Sequence, residues 1–152
     1  MHAAAAASLS FQSGDIIAIA QKIISKAEGR QVNLGSVQPG SQATEVAAAT
    51  GKDPRLVELI LQESTAISRL KMGVLIVRHR LGFTSANAGI DRSNVPQTGT
   101  DEVVLLLPLD PDASARQIRQ TIQTRAGVAV GVIITDSHGR PFRMGTVGVA
   151  IG

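Results

Sequence analysis

Apolar and polar residues alternate along this chain in blocks that change period several times. Asp15 to Ala20 (DIIAIA) is a short apolar run behind the turn pair Ser13-Gly14 and predicts a strand. Gln21 to Gly29 reads either as a short helix closed by Gly29 or as a continuation of that strand; Lys22 and Lys26 share a face in both cases. Gln31 to Gly40 is a connection rich in Gly, Ser and Pro. Ser41 to Thr50 has good helix formers and a terminating Gly51. Asp53-Pro54 opens a second helix, because Asp accepts from the free N–H groups of a first turn and Pro has the right φ for it. Leu56, Leu59, Ile60, Glu63 and Ile67 come next at helical spacing.

Further along, Gly73 to His79 predicts a strand and Leu81 to Val95, small, polar and punctuated by glycine, a loop. Val103 to Leu107 is a buried-type strand, and Asp110 to Ala126 is a helix capped by Asp-Pro-Asp and ended by Gly127. Val128 to Thr135 is another strand, followed by a polar turn from Asp136 to Arg143 and a strand-like end, Val147 to Gly152. Strands and helices interleave, so the fold class is α+β, a mixed α/β domain. The body is one domain, residues 14–152; residues 1–13 are a residual helix or ragged start. That start, MHAAAAASLS, lacks the basic n-region of a secretory signal. A final strand with nothing after it suggests a domain that continues beyond Gly152.

Composition narrows the function. The 152 residues are 43% hydrophobic and 18% charged, enough for a core and too little charge for a disordered chain. No uninterrupted apolar stretch is long enough to span a membrane. With no Cys there is no disulfide framework, thiolate metal site or cysteine nucleophile, and a reducing cytoplasm suits the chain. Aromatic residues are 2%, with no Trp or Tyr, which argues against a nucleic-acid binder that stacks bases. The net charge of +3 fits anionic small molecules at least as well as DNA.

Standard phosphate loops are absent. The only Gly-Lys pair, Gly51-Lys52, is followed by Asp53, and no G-x-G-x-x-G or G-x-S-x-G occurs. His2, His79 and His138 lack metal-pair spacing. Three polar clusters remain. Gln21-Lys22 with Ser25-Lys26 is either solvated charge or two ammonium groups directed at phosphate oxygens. Asn87 to Asn94 (NAGIDRSN) is either an Asx-type turn or a ligand loop. Thr135 to Arg143 is either a strand-terminating turn or a carboxylate, Asp136, emerging at the carboxyl edge of a sheet, where open α/β sheets hold ligands. Asp91 and Asp136 together suit a hard divalent cation, since Mg²⁺ uses one or two carboxylates plus phosphate oxygens.

The strings AQKIISKAEGR, ATGKDPRLVELILQES, RLGFTSANAGIDRSNV, LLLPLDPDASARQIR and VIITDSHGRPFRMGTVGVAIG closely resemble the coenzyme F-420:L-glutamate ligase family, from about Gly14 to Gly152. The resemblance implies a GTP-dependent ligase of two-lobed α+β fold. Such an enzyme joins L-glutamate to the deazaflavin precursor of the coenzyme through an acyl phosphate. It implies a divalent metal, Mg or Mn, with potassium as a further cation, and a cytoplasmic homodimer that engages neither nucleic acid nor membrane. By motif, the nucleotide contacts fall on Gln21, Lys22, Lys26 and Asn94, and the metal ligands on Asp91, Asp136 and Ser137. No catalytic residue is assigned. The family's usual Leu-Pro nucleotide contact near the start and its later metal ligand and nucleotide loop have no counterpart in these residues. The expectation is therefore an incomplete ligase domain, with a non-catalytic nucleotide- or metal-binding fragment as the rival reading.

Overall fold

The computed structural model describes residues 10–92, 102–139 and 145–152. Three small sheets organise it. The strand β1 (Ile16–Ala20) leads directly into helix α1 (Gln21–Ala27), which settles the open choice over Gln21 to Gly29 in favour of helix. A short strand β2 (Gln31–Asn33) and a 3₁₀ turn (Leu34–Ser36) lie within the expected Gly/Ser/Pro connection. A helical pair comes next, α2 (Ser41–Thr50) and α3 (Pro54–Gln62). Gly51 ends α2 in the left-handed conformation, and the Asp53 carboxylate accepts from Arg55 N at 2.8 Å to start α3.

The helical stripe read through Glu63 to Ile67 stops earlier than expected. Residue Glu63 caps α3, and Ile67 belongs to strand β3 (Ser64–Lys71). This strand turns at Met72-Gly73, where Gly73 has a φ of 76°, into β4 (Val74–His79). β4 pairs with β3 and with β5 (Thr84–Ala86), all antiparallel, so part of the expected loop 81–95 is sheet. β6 (Val103–Leu105) pairs antiparallel with β2. Helix α4 (Pro111–Ala126), capped by Asp110 and ended by Gly127, matches its expected span.

β7 (Gly131–Gly139) runs parallel to β1, with Ala20 opposite Thr135, and antiparallel to β8 (Thr146–Ala150), with Asp136 opposite Val149. Of the polar turn expected from Asp136 to Arg143, Asp136 to Gly139 are strand instead, because they pair with β8 past the point where β1 has ended; residues 140–143 lie outside the described residues. No helix among the described residues is long and apolar enough to cross a membrane.

Two apolar clusters hold these layers. The larger joins α2 and α3 to β4 and β6 through Val46, Leu56, Val57, Ile60, Leu75, Val77 and Val104. The smaller sets Ile24 of α1 and Ala115 of α4 against Ile134 of β7. Between them stands a polar clasp built on Glu63. Its carboxylate accepts from Arg30 Nη2 at 2.8 Å and from Arg80 Nε at 2.9 Å. Arg80 also donates to the carbonyls of Pro108 and Leu109, and Arg30 Nε to that of Leu107. The buried His79 accepts from Leu81 N on Nδ1, and its Nε2 faces Glu63 Oε2 at 3.6 Å. Burial works to raise the Glu63 carboxyl, but His79, Arg30 and Arg80 outweigh it and hold it at about 2. At 3.6 Å the imidazole contact is longer than an ordinary hydrogen bond, so the two guanidiniums carry most of the lowering.

Between β5 and β6 the chain makes a left-handed turn. Asn87, Ala88 and Gly89 have successive φ values of 51°, 54° and 67°. A side chain in this region meets its own carbonyl at a cost of about 1–2 kcal/mol; Gly89 escapes it and Asn87 tolerates it, so the cost falls mainly on Ala88.

Two stability measurements test these contacts. Gly89→Ala and Gly73→Ala both place a Cβ at positive φ, but only at residue 89 does that Cβ meet anything, 3.1 Å from Leu107 Cδ1. In urea titrations Gly73→Ala should lose about 1–2 kcal/mol and Gly89→Ala measurably more; equal losses would show that the approach to Leu107 costs nothing. For the clasp, a depressed folded pKa means stability is present above the unfolded value of 4.5 and is lost as pH falls toward about 2. The stability gap between wild type and Glu63→Gln should therefore shrink by about 3 kcal/mol across that acid window. A gap independent of pH would show that Glu63 is not held as a paired carboxylate.

Candidate functional site

The pairing of β1 with β7 ends at Ala20 and Thr135, and the residues just beyond both border the same space. There a cavity of about 450 Å³ is lined by Ala20, Gln21 and Lys22, by Gly89, Ile90 and Asp91, and by Thr135, Asp136 and Ser137, with Ala86 at its side. It sits at the carboxyl edge of a parallel strand pair, where side chains leaving neighbouring strands converge.

Each wall is fixed by backbone. Lys22 is delivered by the first turn of α1, whose Ile24 is anchored in the smaller core. Gln21 is almost fully buried, and its Oε1 accepts from Ser25 Oγ at 2.8 Å. Asp91 lies just after the left-handed turn and exchanges two backbone hydrogen bonds with Leu105, at 2.9 and 2.8 Å. Asp136 and Ser137 belong to β7, and a Cβ at Gly89 would stand 3.6 Å from Asp136 Oδ2. The turn before Asp91 thus lies beside the Asp136 carboxylate, with Leu107 as the nearer neighbour of Gly89.

One ion pair spans the cavity. Lys22 Nζ lies 2.8 Å from Asp91 Oδ2, linking residues 69 apart in sequence. The carboxylate is 19% exposed and the ammonium 36%, so the pair is partly shielded from solvent.

Five of the residues singled out from sequence, Gln21, Lys22, Asp91, Asp136 and Ser137, line this one cavity. Lys26 is exposed one turn further along α1 and is not among the lining residues. Asn94 lies outside the described residues. Sequence reasoning passed over the lining at Ala20 and Ala86, and it gave no role of their own to Gly89, Ile90 and Thr135 within the two clusters it singled out. Gly89 and Thr135 stand beside the acidic residues in the two motifs, and that adjacency was the available signal.

The donor set fits a hard divalent cation. Two aspartates and a serine line one space, and the ammonium on Asp91 stands as a positive charge beside them. Among the described residues there is no group of three or more His, Asp or Glu that could hold a metal by itself. Such a sparse set matches Mg²⁺ or Mn²⁺ completing its shell with water and phosphate oxygens, rather than a closed structural site.

A family model described as F420-0:Gamma-glutamyl ligase matches residues 1–152. The coenzyme F420:L-glutamate ligase of Methanopyrus kandleri is 48% identical over 147 residues, which are 97% of this chain and 57% of that protein. The enzyme of the same name from Methanothermobacter thermautotrophicus is 50% identical over 139 residues, 91% of this chain and 54% of the relative. That of Methanocaldococcus jannaschii is 44% identical over 141 residues, 93% and 55% respectively. The chain thus spans a little over half the length of these relatives. With the profile matched from end to end and the acidic and basic motifs gathered round one cavity, the chain belongs to the F420-0:gamma-glutamyl ligase family.

Proposed function

We propose that this chain carries the phosphate- and metal-binding part of a GTP-dependent ligase that joins L-glutamate to the deazaflavin precursor of coenzyme F-420. The observation that carries the reading is the convergence of Gln21, Lys22, Asp91, Asp136 and Ser137 on one cavity. In the reaction, a carboxylate oxygen of the precursor attacks the γ-phosphorus of GTP and GDP leaves. The amine of glutamate then attacks the acyl carbon of the resulting acyl phosphate, inorganic phosphate leaves, and the amine loses a proton as the amide forms.

Asp91, Asp136 and Ser137 would hold the divalent cation, Mg or Mn, which when bound screens the charge of the phosphate oxygens. Lys22 and the Gln21 amide face the same space and are placed to bind the transferring phosphoryl group. Its charge spreads over the outer oxygens, and fixed donors there stabilise it without reorganising. Lys26, one turn along the same helix, has the reach to join them, and Asn94 belongs to the same nucleotide set. The reading extends to a potassium ion as a further cation and to a cytoplasmic homodimer. The missing cysteines suit the compartment, and the exposed Ile67, Leu70 and Met72 at the β3 edge offer a dimer an apolar face.

Titration calorimetry with GTP and Mn²⁺ tests the assignment. Asp91→Asn and Asp136→Asn should each weaken metal-dependent GTP binding by about tenfold or more, because a neutral amide is a poorer ligand for a hard cation and a charged contact is worth about 1.5–3 kcal/mol. GTP affinity unchanged in both variants, with and without Mn²⁺, would refute the metal site.

The ion pair generates a second expected outcome. With no nucleotide present, the Lys22 ammonium competes with an incoming cation for Asp91. Lys22→Met should therefore bind Mn²⁺ more tightly when GTP is absent, and bind GTP with Mn²⁺ more weakly. Electron paramagnetic resonance of free Mn²⁺ reads the first and calorimetry the second. Losses in both would mean that Lys22 only supports the fold of the site.

A further inference from the structure

Arg30 stands outside the cavity, yet it is bonded to both chain segments that deliver the Lys22–Asp91 pair. On the α1 side its backbone N–H donates to Ser25 O at 2.9 Å, and Ser25 in turn holds Gln21 through its hydroxyl. On the β6 side its backbone carbonyl accepts from Leu106 N at 3.0 Å, and its Nε donates to Leu107 O at 2.9 Å. Leu105, the preceding residue, exchanges both its backbone bonds with Asp91. The bonds close a ring: Lys22, α1, Arg30, the end of β6, Asp91, and across the ion pair back to Lys22. Glu63 seats the Arg30 guanidinium from outside the ring, Oε1 to Nη2 at 2.8 Å.

We infer that Arg30, seated by Glu63, is a positioning residue that sets the distance between the phosphate-binding turn of α1 and the metal-binding Asp91. The inference rests on the proposed GTP- and metal-binding reading of the cavity and deepens it. The physical case is the forked shape of the guanidinium. One planar group donates to a carboxylate and to a main-chain carbonyl in fixed relative directions, which a lysine ammonium on a flexible stem does not reproduce. The spacing matters because phosphate and metal must be gripped at once, and misplaced groups lose most of that joint effect.

The test separates positioning from general support. Mn²⁺ binding without nucleotide reports on Asp91 and Asp136, whose loops are held by Leu105 and by the β7–β8 ladder. GTP binding in the presence of Mn²⁺ also requires α1 to be placed correctly. Arg30→Lys should leave Mn²⁺ affinity within about twofold of wild type while weakening GTP affinity by about tenfold. Glu63→Gln should produce the same split more mildly, since the arginine keeps its main-chain bonds. In a double-mutant cycle, Arg30→Lys should cost little further GTP affinity once Lys22 is Met, because the residue being positioned has gone.

Additive losses in that cycle, equal losses of Mn²⁺ and GTP affinity, or no loss at all would overturn the positioning role. If Asp91→Asn abolishes metal-dependent GTP binding while the cycle is additive, only this inference falls. A wild-type chain that binds no GTP with Mn²⁺ overturns both.

Discussion

The fold turns on a carboxylate whose charged form burial opposes. Glu63 stays charged because two guanidiniums reach it, and each is also bonded to main-chain carbonyls of the segment from Leu107 to Leu109. Removing one member of such a buried set strands charge on the rest, so the group holds together or fails together. It joins the end of α1, whose helix packs in the smaller core, to the cap of α3, the end of β4 and the exit from β6, whose elements the larger core already brings together. The two cores fix each layer. The clasp fixes how the layer carrying Lys22 meets the layers carrying Asp91.

The cavity obeys the same rule of paired charge. Its walls carry two acids and one lysine, and Lys22 lies against Asp91 rather than in bulk water. A partly shielded ion pair is easily exchanged when both partners have better alternatives, and phosphate for the ammonium and a divalent cation for the carboxylate are such alternatives. A nucleotide–metal pair entering this space would rearrange counter-ions instead of stripping bare charges. The left-handed turn at Asn87 to Gly89 leads directly into Asp91, which lines the cavity together with Asp136.

Much of this was legible in the residues, for local reasons. Asp53-Pro54, Asp110-Pro111, Gly51 and Gly127 marked helix ends because caps are local chemistry. Asp136 was readable as a strand-edge carboxylate because an apolar run precedes it. The failures were non-local. β3 was hidden because its residues are nearly all exposed, so no alternation of burial shapes its sequence, and Ile67 happened to continue the α3 stripe. The strand beyond Thr135 exists because β8 returns to pair with it. Asn87 and Ala88 give no sign of a left-handed turn, since neither needs one. Arg30 stands after a glycine in an ordinary stretch, and nothing nearby announced that its partners lie far along the chain. Five of the residues that the family motifs single out line one cavity, a convergence that periodicity along the chain does not express.

The parallel pairing of β1 with β7 also shapes how the molecule comes into being. Thr135 and Ile19, bonded across that ladder, are 116 residues apart in sequence. The helical hairpin of α2 and α3 and the β3–β4 turn are local and can form early. The β1–β7 ladder must wait for a large loop to close, which is the slow, entropically unfavourable kind of event in folding. The cavity lies at the end of that ladder. It therefore has no existence in any partly folded form that lacks the closure. Its appearance would then mark the completion of folding.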